Sequence, residues 1–64
     1  MKYNIGDIVY LKTDTEQKVR IVTGILIRAN THIYYLSSCT EESSHYDIEI
    51  SSEINEVFKL INNN

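Results

Sequence analysis

The stretch that decides the fold is Val19-Arg20-Ile21-Val22-Thr23-Gly24-Ile25-Leu26-Ile27-Arg28, the longest run of β-branched and aliphatic residues in the chain. Such residues suit a pleated strand. One parity holds Ile21, Thr23, Ile25 and Ile27, and the other Arg20, Val22, Gly24, Leu26 and Arg28. A glycine inside a strand costs stability unless it marks a bulge, a bend or a close approach of backbone. Gly24 therefore predicts a strand that bends to serve two sheets, as a small barrel requires at its corners.

Three further strand signals surround this one. Ile5-Gly6-Asp7 opens a turn, and Ile8-Val9-Tyr10-Leu11-Lys12-Thr13 follows with Val9 and Leu11 on one face. His32–Ser38 is the third strand, after the turn Ala29-Asn30-Thr31. Cys39-Thr40-Glu41-Glu42-Ser43-Ser44 reads as a polar hairpin loop. The fourth strand alternates His45, Asp47 and Glu49 against Tyr46, Ile48 and Ile50. Its apolar parity predicts that Ile48 is buried, as Leu11 is expected to be. Ser51-Ser52 then offers a helix cap, with Glu53 and Glu56 in a first turn that favours acids. Ile54, Val57, Phe58 and Ile61 form one apolar stripe over a helix of about 53–61. So short a helix has to dock, and closing one end of the barrel is its expected role. The expectation is one all-β domain over 1–61, a small barrel of four to five antiparallel strands with a short C-terminal helix, and a flexible tail at 62–64.

A resemblance rests on these same residues. Ile5-Gly6-Asp7-Ile8-Val9-Tyr10-Leu11-Lys12, a polar loop, and then Val22-Thr23-Gly24-Ile25 resemble the opening of SH3-like barrels of the KOW and Tudor type. The strings at Ile5–Asp14, Arg20–Ile25 and His45–Ser51 are also similar to those of short proteins from gut bacteria and their phages. The resemblance covers roughly residues 3–52 and implies an SH3-like barrel without implying an activity, because such barrels serve many partners. Unlike the methyl-lysine readers, the chain spreads Tyr10, Tyr34, Tyr35 and Tyr46 over three strands, which argues against an aromatic cage.

Composition narrows the function. At 64 residues the chain is near the lower limit for folding without disulfides or metals. Its single cysteine, Cys39, excludes an internal bridge and points to a reducing cytoplasm, of a bacterial host or a phage particle made there. Bias toward Ile, Asn, Tyr and Lys over Gly, Ala, Arg and Pro points to an AT-rich genome, as many phages have. No signal-peptide core opens the chain, and no run approaches the roughly 20 apolar residues of a membrane span. Net charge is −3 but uneven: Lys2, Lys12, Lys18, Arg20 and Arg28 all lie in the first 28 residues, and most acids lie after them.

Catalysis and metal binding find little support. Cys39, His45 and Asp47 offer a nucleophile, a base and an orienting acid, but a barrel this small has little room for a substrate cleft. His32, Cys39, His45, Asp47 and Glu49 could ligate a metal, yet no C-x-x-C or H-x-x-x-H spacing occurs. No enzyme, cofactor or small-molecule substrate is expected. If Ile21, Ile25 and Ile27 point inward, then Val22 and Leu26 face outward beside Ile8 and Tyr10. Such a patch calls for a covering protein partner or a second copy. A bulge at Gly24 would flip this parity. The runner-up is a nucleic-acid accessory role, with Tyr10, Lys12, Lys18, Arg20 and Arg28 as a strip of bases beside an aromatic ring. The acidic total weighs against it.

Overall fold

The computed structural model describes residues 2–62. Five strands follow one another: β1 (Ile8–Leu11), β2 (Arg20–Ile27), β3 (His32–Ser38), β4 (Glu41–Tyr46) and, after a 3-10 turn at Asp47–Glu49, β5 (Ile50–Ser51); helix α1 (Glu56–Asn62) comes last. All strand pairs are antiparallel, in the order β4-β3-β2-β1-β5. β1 pairs with β2 through Ile8 and Val9, and with β5 through Tyr10 and Leu11. It is thus β1, the shortest of the first four strands, that joins both parts of the sheet, a role the sequence assigned to β2. The sheet is open between β4 and β5, not a closed barrel.

The start of β1 is set by Gly6. Asn4 and Asp7 close a turn, Asp7 N–H donating to the Asn4 carbonyl at 3.0 Å, and Gly6 holds φ at 97°, which L side chains rarely adopt. Gly6 N–H and the Asp7 carbonyl then bond Val22, extending the β1–β2 ladder by another step.

Val9, Leu11, Val22, Tyr34, Leu36 and Ile50 bury themselves on one face of the sheet. Tyr3 covers them: its ring meets Tyr34 edge-on at 5.4 Å, and its hydroxyl donates to the Ile50 carbonyl at 3.0 Å. The hydroxyl thereby keeps a hydrogen bond while the ring is buried.

Four expectations are corrected here. Gly24 does mark a bulge: Val22 pairs Leu36 and Gly24 pairs Tyr35, so Thr23 is the extra residue. The bulge shifts the parity of the first half of β2, so Val22 is fully buried and Ile21 exposed; beyond it Ile25 packs on the core, and Ile27 is exposed at the end of the strand. Second, the hairpin loop is only Cys39-Thr40, with Cys39 exposed at φ 55°, and Glu41–Ser44 already belong to β4. Third, the alternation from His45 to Ile50 is not one strand. The 3-10 turn interrupts it, His45 faces the core side with Tyr34, and Ile48 is 75% exposed. Fourth, α1 starts at Glu56 and is capped by Asn55, whose Oδ1 accepts Phe58 N–H at 2.9 Å; it closes no end of the sheet, and Val57, Leu60 and Ile61 remain exposed. Of the expected tail, Asn62 ends α1, while Asn63 and Asn64 lie outside the described residues.

Candidate interaction surface

The register sets the second face of the sheet residue by residue. Ile8 lies opposite Ile21, Ile21 opposite Ser37, and Ser37 opposite Glu42. Beyond the bulge, Gly24, Tyr35 and Ser44 form the next row, and Leu26, Ile33 and Tyr46 the one after. Directly paired residues project to the same side. Each row of the outer face therefore carries at least one large apolar side chain, with Ser37, Glu42 and Ser44 toward β4, and Ile8, Ile21 and Tyr46 are each about half exposed.

Tyr35 shows why Gly24 belongs in this face. A Cβ on Gly24 would lie 3.2 Å from Tyr35 Cδ2, so the ring rests over the glycine backbone. The bulged Thr23 hydroxyl donates to the Tyr35 carbonyl at 3.2 Å.

Of the expected interface residues, Ile8, Tyr10 and Leu26 keep exposed surface, and Val22 does not. Ile21 and Tyr35 take its place. Their signal was Gly24 itself, since one extra residue in β2 exchanges the faces of its first half.

The basic strip does not assemble as drawn. Arg20 is buried on the core side next to Val9, its Nη2 3.5 Å from Asp14 Oδ2. Lys18 pairs with Glu16 at 3.4 Å, and Lys12 and Arg28 follow β1 and β2 at opposite ends of the sheet. Asp14 is the organising acid: its carboxylate accepts Glu16 N–H at 3.0 Å and Lys18 N–H at 2.9 Å. Burial would raise its pKa, but those two backbone donors and the Arg20 guanidinium outweigh burial and hold it below the ordinary value. Gln17 completes the knot. At φ 49° and buried, it donates from Nε2 to the Leu11 and Asp14 carbonyls and accepts Asn55 N–H on Oε1, tying the loop to the start of α1.

His45 meets neither Cys39 nor Asp47. Its Nε2 lies 2.7 Å from Ser43 Oγ and its Nδ1 2.7 Å from Glu49 Oε2. Serine, imidazole and carboxylate in series have the connectivity of an activated nucleophile. Ser43 and His45 pair with the buried Leu36 and Tyr34 on the core side of β4, whereas the adjoining depression is also lined by Tyr35, Glu42 and Ser44, which belong to the outer rows. Glu49 also accepts Tyr46 N–H on Oε1 at 3.5 Å, so the chain of bonds fastens β4 to the 3-10 turn. Among the described residues no three His, Cys, Asp or Glu side chains gather as a metal site, and no helix is long and apolar enough to cross a membrane. No protein-family model, curated protein or solved structure matches the chain.

Proposed function

We propose that this chain is a non-enzymatic protein-interaction module on an SH3-like frame, and that it binds through the outer face of the sheet. One observation carries the reading: the face built from Ile8, Ile21, Leu26, Tyr35 and Tyr46 is apolar, exposed and on the side away from the core. Contiguous apolar surface of this kind marks an interaction site far more often than it marks a free monomer's exterior. The frame reading draws support from a five-stranded antiparallel meander whose last, very short strand returns beside the first after a 3-10 turn. A reducing cytoplasm, of a bacterial host or its phage, suits a chain whose one thiol, Cys39, is exposed.

The test uses Ile21→Asp with Tyr46→Asp against Lys12→Ala with Arg28→Ala, each shown folded by its amide NMR spectrum. In pull-downs from a bacterial host the apolar-face variant should lose a partner that the parent and the base variant recover in equal yield. A reversed order, with binding to single-stranded oligonucleotides that falls steeply with salt, would establish the nucleic-acid role instead.

A further inference from the structure

Helix α1 poses a separate question. A seven-residue helix is far below the length that holds in water without tertiary support. Its cap and the Gln17–Asn55 bond secure its first turn, and Phe58 is half-buried. Val57, Leu60 and Ile61, spaced i, i+3 and i+4, share one side and are each about two-thirds exposed. Glu56 borders that side, and Glu53 leads into it.

The complementary surface is at one end of the outer sheet face. Ile8 and Tyr10 on β1 and Ile21 at the start of β2 form its apolar ground, and the exposed Val19 comes just before β2. Lys12 follows β1 and Lys18 precedes Val19; because the two strands are antiparallel, both bases stand at the same end. Glu53, Glu56 and Lys12 make no ion pair among the described residues, and Lys18 is held only by the exposed Glu16 at 3.4 Å. An apolar helix side bordered by two acids thus has a counterpart in an apolar sheet end bordered by two bases.

We propose that the chain forms a two-fold dimer by reciprocal exchange of α1, each copy laying Val57, Leu60 and Ile61 on the other's Ile8–Ile21 ground, with Glu53 and Glu56 facing the partner's Lys12 and Lys18. This rests on the reading of the outer face as an interaction surface and names a second copy as its occupant at that end. Reciprocal exchange satisfies both copies at once and therefore closes as a dimer instead of extending into a filament.

Charge reversal tests the pairing. Sedimentation of the full chain at tens of micromolar should show a dimer. Lys12→Glu with Lys18→Glu, and separately Glu53→Lys with Glu56→Lys, should each weaken it about tenfold or more, since like charges meet at both copies of the contact. All four side chains are on the surface, so the fold should survive, as circular dichroism would verify. Mixed in equal amounts, the two variants should regain parental affinity, because each sheet then meets a helix of opposite charge. A chain that stays monomeric, a dimer indifferent to both reversals, or two variants that fail to associate on mixing would each overturn the exchange. Partner capture by the outer face is read independently with Ile21→Asp and Tyr46→Asp, so failure of the dimer leaves the binding-module reading standing or falling on its own result.

Discussion

The Asp14 carboxylate accepts three hydrogen bonds, as many as the Gln17 amide makes. It orders the loop between β1 and β2 by accepting two backbone N–H groups, and it neutralises Arg20 on the buried side of the sheet. Arg20 Nε still lacks a partner, so no other acceptor stands ready to replace the carboxylate. Asp14→Asn should cost about 2–4 kcal/mol in urea melts at neutral pH, because it strands a buried guanidinium. Adding Arg20→Met should recover part of that loss. The sign of the pH effect follows from the lowered pKa. The unfolded carboxyl titrates near its ordinary value of about 4, the folded one below it, so the stabilisation is complete above that value and drains away as pH falls through the folded pKa. Parent and Asp14→Asn should therefore converge in stability toward acid pH; parallel curves would refute the linkage. At this scale the sequence was partly legible. Arg20 showed as a base on a strand, but nothing in residue order reveals that an acid six positions earlier folds back to bury it.

Elements were more legible than their faces. All of the first three strand signals correspond to strands, because β-branched runs bounded by polar turns have few other uses. At the end of the sheet His45–Ile50 alternates well enough to imitate a strand, while Glu49, bonded to both His45 and Tyr46, makes a turn there. Gly24 reads as a bend or bulge, and the bulge alone decides which side the first half of β2 buries. The two glycines give contrasting expectations. Gly6 has open space around its missing Cβ but φ 97°, so Gly6→Ala should destabilise by about 1 kcal/mol or more through backbone strain. Gly24 has no such φ, and its crowding comes from the Tyr35 ring, which is partly exposed and can yield. Gly24→Ala should stay within about 1 kcal/mol of the parent and shift the Tyr35 ring resonances in NMR. Equal thermal melts for the two variants would show that the turn at Gly6 does not need its φ.

For the whole molecule, two features follow from one arrangement of apolar residues. The core face takes seven hydrophobic residues, and on the other face Ile8, Ile21 and Tyr46 are each about half exposed. Alternation showed the sequence to be rich enough in apolar residues for both, but it could not show that α1 would leave the sheet uncovered, because a periodic stripe looks the same whether it docks or not. If α1 adds little to the single chain, removing it should leave the sheet intact. A chain ending at Asn55 retains β1–β5 and the Gln17–Asn55 bond. At concentrations low enough to hold the parent monomeric, its urea midpoint should match the parent's to within about 1 kcal/mol of stability, since few buried apolar contacts are lost. The slope of the transition should change little as well, because it reports the surface exposed on unfolding and α1 hides little of it. At higher concentration the parent's midpoint should rise with protein concentration while that of the shortened chain stays fixed, as mass action requires when only one of them associates. A shortened chain that unfolds several kcal/mol earlier at low concentration would mean that α1 supports the sheet of its own chain.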